Sequence, residues 1–595
     1  VGRDEHVPRP RGEWAGEDFD PREWEDAEEG EEILLPLDES RFLAVPKRLL
    51  GRLLGTVMEL FQREREGVHL HAMAAAQVAA ALPEFVAETN HRLRKMANAI
   101  KNFRHLKPVA LPSTLKAELR DYQVEGVTWL QFLRGFGLGG ILADDMGLGK
   151  TVQTLAHLLV ERRARRAQGR PSLIVAPTSV ISNWEREAER FAPCLDVLLL
   201  HGQERFEKFD HLSEADLVLT SFALLTRDGE VYQEQEFHYV ILDEAQSIKN
   251  PNSKLAQIVC GLHARHRLCL TGTPLENHLG ELWSLMHFLM PGFLGDAKAF
   301  QKHWRKPIEK ERDVVRRRVL VKRLAPLMLR RTRDEVLEEL PPRTETLQTV
   351  TLPPGQAELY ESVRATMNAK VRDAIAAKGL NRSSIVVLDA LLKLRQVCCH
   401  PKLLKVKAAA KVKRSAKLES FLELMRDLSE NEENRILVFS QFTSMLEIIE
   451  ERFAEEGISS IKLTGETPGR ERQALVDQFQ KGEVPVFLIS LKAGGSGLNL
   501  TAANTVVHYD PWWNPAVEEQ ATGRAHRMGQ QNPVFVYRFV TQGTIEERIL
   551  ELQERKAEMA RAILGDDLEP GERKQGWGLE QEDLEALFAP LQETR

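Results

Sequence analysis

Residues 141–151 read ILADDMGLGKT: an apolar run, a glycine-rich turn, then a lysine and a threonine that open the helical stretch TVQTLAHLLV. Gly147 and Gly149 allow the backbone to curl so that its N–H groups line a concave cradle, and the helix N-terminus behind it favours negative charge. Such a cradle suits a triphosphate. Asp145, Met146, Gly147, Leu148 and Gly149 would supply its wall, Lys150 would reach the β and γ phosphates, and the Thr151 hydroxyl would ligate Mg²⁺. The strict pattern has glycine at position 144, where this chain carries Asp144. The match therefore has to be judged by its partner residues.

The first partner is YVILDEAQ, residues 239–246, an apolar strand that ends in two adjacent carboxylates. Asp243 at the strand tip can hold Mg²⁺, and Glu244 can orient and deprotonate an attacking water. The second partner is QATGRAHRMGQ, residues 520–530, with Arg524 and Arg527 three residues apart and so on one face of a helix. A metaphosphate-like transition state needs cations, and these two arginines are expected to supply them as arginine fingers. They fall in a different part of the chain from Lys150 and Glu244. Hydrolysis of ATP would therefore require two parts of the molecule to close on one nucleotide.

The elements that must position these residues are legible as short β-rich runs between helical stretches. One set is SLIVA (172–176), DLVLT (216–220), YVILD (239–243) and RLCLT (267–271); a second is RILVFS (435–440), PVFLIS (485–490), NTVVHY (504–509) and VFVYRF (534–539). Such alternation indicates parallel sheets covered by helices, with ligands at the carboxyl ends of the strands. The fold class expected is α/β: two parallel-sheet lobes at 111–279 and 418–565, with helical insertions and a basic inter-lobe linker at 280–417 that fits neither sheet. Residues 1–40 are expected to form an acidic, poorly ordered tail and residues 41–110 a helical accessory segment. Residues 566–595 read as a C-terminal tail with a short amphipathic helix, LEQEDLEALFAPL, expected to dock on the chain itself.

The ordered set DDMGLGKT, DEAQ, LTGTPLEN, LVFSQF and QATGRAHRMGQ resembles the SWI/SNF-type ATPases of the superfamily-two helicase-like proteins, with bacterial or archaeal members the nearest in architecture. The resemblance runs from about Leu111 to Leu550 and implies that the two parallel-sheet lobes are RecA-like; Asp144 in place of the first P-loop glycine is usual in that family. It implies that Gln123 in LRDYQ recognises adenine, and that Thr178, Asn183 and Trp184 in PTSVISNW and Ser221 in LTSF hold one DNA strand. It also implies nucleic-acid contacts at Lys249, Gln441, Thr464, Lys492, Gly494, Asn499 and Trp513. Thr271, Gly272 and Thr273 would link hydrolysis to DNA contact. Gln246 stands where many members carry histidine, and its amide can still relay a hydrogen bond. In KLRQVCCHP the resemblance favours a structural role for Cys398, Cys399 and His400 over a metal site.

Bulk properties are compatible with this reading. A chain of 595 residues implies three or four structural units, and no apolar run approaches the length of a membrane span. The net charge of −7 conceals an asymmetry: residues 1–40 carry fifteen acidic and four basic side chains, which leaves residues 41–595 positive. Residues 301–333 carry thirteen Lys or Arg against three acids, and residues 401–417 seven against none. Both stretches are candidate phosphate-contacting surfaces. Five scattered cysteines have no C-x-x-C spacing and suit a reducing compartment. The chain opens on Val1 without a signal peptide, which predicts a cytoplasmic protein, nucleoid-associated if prokaryotic, and the tail of a longer gene product. The expected activity is ATP-driven movement along double-stranded DNA by a monomer, with the acidic N-terminal or C-terminal tail available to a protein partner. The alternatives are a strand-separating DNA or RNA helicase and a catalytically silent nucleic-acid-binding scaffold.

Overall fold

The computed structural model describes residues 32–36, 42–46, 91–564 apart from 104, 276–277, 312, 337–339, 380–381 and 495–497, and, near the C-terminus, 584 and 586–591. The chain divides into two compact units: Val1–His105 with Asp313–Pro326, and Leu106–Arg312 with Leu327–Arg595.

In the first unit, strands β1 (Glu32–Pro36) and β2 (Phe42–Pro46) form an antiparallel hairpin, and helix α1 (His91–Lys101) follows. Two expectations are corrected here. Within the span expected to be an acidic, poorly ordered tail, Glu32–Pro36 forms a paired strand, and within the span expected to be helical, Phe42–Pro46 forms its partner. The short unbroken apolar runs in EILLP and FLAVP satisfy a strand as readily as a helix, and only cross-strand pairing decides between them. Most of the expected helical accessory stretch, including HLHAMAAAQ, lies outside the described residues.

The second unit contains both sheets. The first has seven parallel strands, β3 (Gly140–Leu142), β4 (Ser172–Ala176), β5 (Val197–Leu199), β6 (Leu217–Ser221), β7 (Glu236–Asp243), β8 (His263–Leu270) and β9 (Met328–Leu329), in the order β5-β6-β4-β7-β8-β3-β9. The second has six parallel strands, β10 (Arg343–Val350), β11 (Ile436–Ser440), β12 (Ser460–Leu463), β13 (Val486–Ser490), β14 (Thr505–His508) and β15 (Val534–Thr541), in the order β10-β15-β14-β11-β13-β12. The expected pair of α/β lobes is present. Both faces of the second sheet are covered: Ile436 and Val438 face a core with Phe421, Ile449 and Phe453, whereas Leu437 and Phe439 face one with Phe479, Leu463 and Val536. Residues one apart on β11 thus serve opposite layers, which is why the strand reads as an unbroken apolar run.

The stretch 280–417 does not lie wholly outside the sheets. Strand β9 (Met328–Leu329) pairs with β3, and β10 (Arg343–Val350) pairs with β15 over its whole length, Arg343 opposite Val534 to Val350 opposite Thr541. An edge strand exposed on one side can be polar, and RTETLQTV carries no apolar run for the sequence to announce. The rest of the stretch is largely helical, including α2 (Pro354–Lys378) and α3 (Ser384–Cys399). These pack with α4 (Ile545–Leu564), and the C-terminal segment adds Leu584, Leu587 and Phe588 to the same core. The described residues of the C-terminal segment therefore pack on their own chain, held also by Arg364, which donates to the Phe588 carbonyl at 2.8 Å. Among the described residues no helix is long and apolar enough to cross a membrane.

Candidate active site

The chain leaves β3 at Leu142 and turns through residues 144–149 into a helix that begins at Lys150. Gly147 (φ 88°) and Gly149 (φ 78°) both occupy the left-handed region. Space forbids a side chain as firmly as the backbone does: a Cβ on Gly147 would lie 2.9 Å from that of Arg527, and one on Gly149 would lie 2.6 Å from Gln123 Nε2. Lys150 Nζ donates to the carbonyl oxygens of Asp144 at 2.5 Å and Asp145 at 3.3 Å. Burial lowers the pKa of this ammonium, and the carboxylates of Glu244, Asp144, Asp243 and Asp145 oppose that shift.

Asp144 is fully buried. Arg331 Nε donates to Asp144 Oδ1 at 2.9 Å, and Gln153 Nε2 to its Oδ2 at 3.2 Å. The aspartate that replaces the expected glycine thus serves as an anchor for Arg331, which also donates to Gln153 Oε1 at 3.0 Å and to the carbonyl of Tyr122. Gln123, expected to read a base edge, is 4% exposed and uses its amide to donate to the Leu148 carbonyl at 3.2 Å and accept from Arg120 N at 3.1 Å. Tyr122 beside it reaches the other lobe, its hydroxyl 3.7 Å from Met528 Sδ.

The paired carboxylates stand at the end of β7. Glu244 has φ 51°, a left-handed conformation that costs a residue with a side chain roughly 1–3 kcal/mol and is tolerated where the surroundings enforce it. Its Oε2 accepts from Gln246 Nε2 at 2.8 Å, while Gln246 Oε1 accepts from the Thr271 hydroxyl at 2.7 Å, and Thr271 Oγ1 accepts from Thr273 N at 3.0 Å. Gln246 therefore relays between the acid pair and the loop after β8. Asp243 accepts from the Trp184 indole N–H at 2.8 Å. Burial, with the Glu244 charge next to it, pushes the Asp243 carboxyl up to about 6 against the pull of Trp184 and Lys150. Two crowded carboxylates beside the Thr151 segment suit a divalent cation. No described cluster of three or more His, Cys, Asp or Glu could hold a metal by itself, so nucleotide phosphates and water would complete the coordination, as befits Mg²⁺.

The second lobe contributes from a turn. The helix Pro515–Thr522 ends just before Arg524 and Arg527, which lie in the tight turn after it, so their common orientation comes from the turn and not from helical spacing. Arg524 is 2% exposed, held down to about 10 by burial against the opposing pull of Glu244 and Asp243. Arg527 packs on Gly147, and its pKa is lowered by burial while Glu187 pulls the other way. Gln520 Nε2 donates to Glu244 Oε1 at 3.4 Å. Groups from both lobes thus converge on the P-loop and the acid pair.

The expected nucleic-acid residues nearly all follow the carboxyl ends of strands, but two of them face inward. Trp184 is fully buried and spent on Asp243; Ser221 is 1% exposed, its hydroxyl accepting from Leu224 N at 3.3 Å to cap the next helix. Helix periodicity turns Trp184 toward the sheet, and Ser221 is the last residue of a central strand, so both side chains are engaged within the lobe. Thr178 and Asn499 are exposed. Asn183 donates to Glu187 at 2.8 Å, and Lys249 lies 3.9 Å from Glu281. Gln441 and Thr464 are partly buried just after β11 and β12, and Trp513 packs partly against the helical core, 5.7 Å from the Arg395 guanidinium. Lys492 and Gly494 fall in the short helix Leu491–Gly494 after β13. The basic stretches are corrected in part: Lys417 is fully buried against Glu546, and Arg331 and Arg333 are buried beside the P-loop, whereas Lys402, Lys405, Lys407, Lys411 and Lys413 are exposed.

Two family models match in succession, the SNF2-related domain over residues 122–403 and the helicase conserved C-terminal domain over residues 416–529. The chain belongs to the SNF2-related family. It is 40% identical over 515 residues to a Bacillus subtilis protein named as an ATP-dependent helicase/translocase, YwqA, covering 84% of this chain and 54% of that protein. It is 35% identical to the ISWI chromatin-remodeling complex ATPase ISW2 of Saccharomyces cerevisiae, over 76% of this chain and 41% of the relative. The solved Sulfolobus solfataricus SWI2/SNF2 ATPase core in complex with dsDNA is 36% identical, with 77% of this chain and 95% of that one covered and a TM-score of 0.40. The SNF2-related chain spans about half the length of the curated relatives it matches. Sequence reasoning missed Arg331, Arg333, Gln520 and Glu187 at the site. The signal available was the uncompensated pair Asp144–Asp145, whose burial demands cations, but nothing local says which arginines answer it.

Proposed function

We propose that the chain is an ATP-driven motor that moves along double-stranded DNA, with hydrolysis coupled to closure of its two lobes. One observation carries the reading: Lys150, Asp243 and Glu244 come from the first lobe, Arg524 and Arg527 from the second, and they meet, with Arg527 against Gly147 and the Arg524 charge facing Glu244. In this reading Lys150 leaves its P-loop carbonyls for the β and γ phosphates, which the backbone of residues 145–149 cradles. Thr151 and Asp243 would hold Mg²⁺, whose charge would offset that of the phosphate oxygens. Glu244, oriented by Gln246 and Gln520, takes the proton of the attacking water. Arg524 and Arg527 stabilise the charge of the transferring phosphoryl group. Because the arginines act only when the lobes are closed, turnover and lobe motion are one process.

The exposed lysines at 402–413 and the segments after the strand ends of both lobes support a track gripped through phosphate and sugar, read largely without regard to sequence. The motor would act as a cytoplasmic monomer. The test is twofold. Replacing Glu244 by Gln is expected to abolish ATP hydrolysis, by at least a hundredfold, while leaving nucleotide binding intact; unchanged turnover would exclude Glu244 as the base. Hydrolysis is expected to be stimulated by duplex DNA more than by single-stranded DNA or RNA, with displacement of a triplex strand but no unwinding of duplex. Unwinding would favour the strand-separating helicase.

A further inference from the structure

Arg333 lies beside the P-loop with no role in the chemistry assigned above, yet it is only 5% exposed and its polar groups reach three separate pieces of the site. Its backbone N–H donates to Asp145 Oδ2 at 3.3 Å, and its guanidinium lies 4.0 Å from that same carboxylate of the P-loop. One terminal nitrogen donates to Glu519 Oε1 at 2.9 Å, and the other to the carbonyl of His526, the residue immediately before Arg527. Glu519 belongs to the helix Pro515–Thr522, which leads into the arginine-bearing turn. The turn is shaped around this contact: a Cβ on Gly523 would lie 3.2 Å from Arg333 Nη2. Glu519 is held from its other side by Arg343, at 2.6 and 2.7 Å, on the edge strand β10.

We propose that Arg333 is a positioning residue for ATP hydrolysis, tying the P-loop carboxylate Asp145 to the turn that presents Arg524 and Arg527. A planar fork of donors suits the task, because one guanidinium can satisfy a carboxylate and a carbonyl in fixed directions at once. Arg331, two residues earlier and just ahead of the short helix Arg333–Val336, is committed to Asp144. The pair of arginines therefore splits its work: Arg331 fastens the segment to the P-loop of the first lobe, and Arg333 carries that registration across to the second. Without Arg333 the His526 carbonyl and Glu519 lose the group that fixes them relative to Asp145, and Arg527 loses its aim while the phosphate cradle itself stays intact. The inference rests on the proposed nucleotide site and adds to it a residue that touches neither substrate nor reacting atoms.

The experiment compares Arg333→Ala, Arg333→Lys and Glu519→Gln with the unaltered chain. It follows steady-state ATP hydrolysis with saturating duplex DNA, together with equilibrium binding of a fluorescent ATP analogue and thermal melting. Arg333→Ala is expected to lower kcat at least tenfold, with analogue affinity within about threefold of the unaltered chain. Arg333→Lys should recover part of the loss by restoring the charge to Glu519 without the fork. Glu519→Gln should lower kcat less than Arg333→Ala, again at unchanged affinity. Should Arg333→Ala fail to fold, the two milder variants decide. Unchanged kcat in a folded Arg333→Ala or Arg333→Lys, or a loss of nucleotide affinity as large as the loss of kcat, overturns the positioning role. If the unaltered chain itself hydrolyses no ATP, the proposed function falls and the inference falls with it; hydrolysis by the unaltered chain that the variants match removes the inference alone.

Discussion

At the scale of single residues, the site stores unfavourable terms that a nucleotide and its cation would relieve. Glu244 sits in a left-handed conformation, Lys150 has only carbonyl oxygens to receive its protons, and Asp243 is crowded by Glu244 in a buried place. The last of these has a measurable consequence. The Asp243 carboxyl titrates near 6 in the folded chain against an ordinary 3.8, so between those values the folded state holds more protons than the unfolded one. Stability attributable to this group therefore falls as pH rises from about 4 to 6, and the cost persists above 6. Asp243→Asn removes the charge and can still accept from Trp184. Its unfolding midpoint, relative to the unaltered chain, is expected to climb by a few degrees between pH 4 and 7 in the absence of nucleotide, while hydrolysis is lost. A difference in midpoint that does not vary with pH would show that Asp243 is not held at a raised pKa.

At the scale of elements, the helical insertions are part of the second lobe's stability as much as an appendage. The helices Pro354–Lys378, Ser384–Cys399 and Ile545–Leu564 share a core into which the C-terminal segment inserts Leu584, Leu587 and Phe588. Below it, Lys417 and Glu546 form a fully buried ion pair, whose carboxylate also accepts from Thr541 N at 2.9 Å. Leu587→Ala is expected to cost roughly 2–4 kcal/mol of docking. The observable is faster limited proteolysis beyond Leu564, with ATP hydrolysis close to that of the unaltered chain; unchanged protection would mean that the segment is held by its polar contacts, Arg364 and Arg548 to main-chain carbonyls, alone. Element identity was readable wherever a segment is buried on both sides. It was unreadable for β10, whose polar edge sequence carries no such imprint, and for β1, which was hidden within an acidic run.

At the scale of the whole molecule, the charge distribution bears on how the track is held. An overall negative chain with exposed lysines concentrated at 402–413 is expected to bind duplex DNA through counterion release. Replacing Lys405, Lys407 and Lys411 together by Gln should weaken binding in low salt and make the fall of affinity with salt shallower by about two to three charges. An unaltered salt slope would place the track elsewhere.

The residues of the amino-acid sequence determined the two-lobed α/β class, the strands buried on both faces, and the chemical parts of the site, because each of these leaves a local mark: apolar runs, left-handed glycines, adjacent carboxylates. What they could not determine is which distant groups answer one another. Trp184 and Ser221 sit in motifs resembling strand contacts, and only folding turned them inward to Asp243 and to a helix cap. Arg331 and Arg333 read as part of a basic surface until the tertiary structure buried them against Asp144 and Asp145, some 187 and 188 residues away in the chain. Pairing over such separations is a property of packing, where the cost of a buried charge is met by whichever partner the fold brings near.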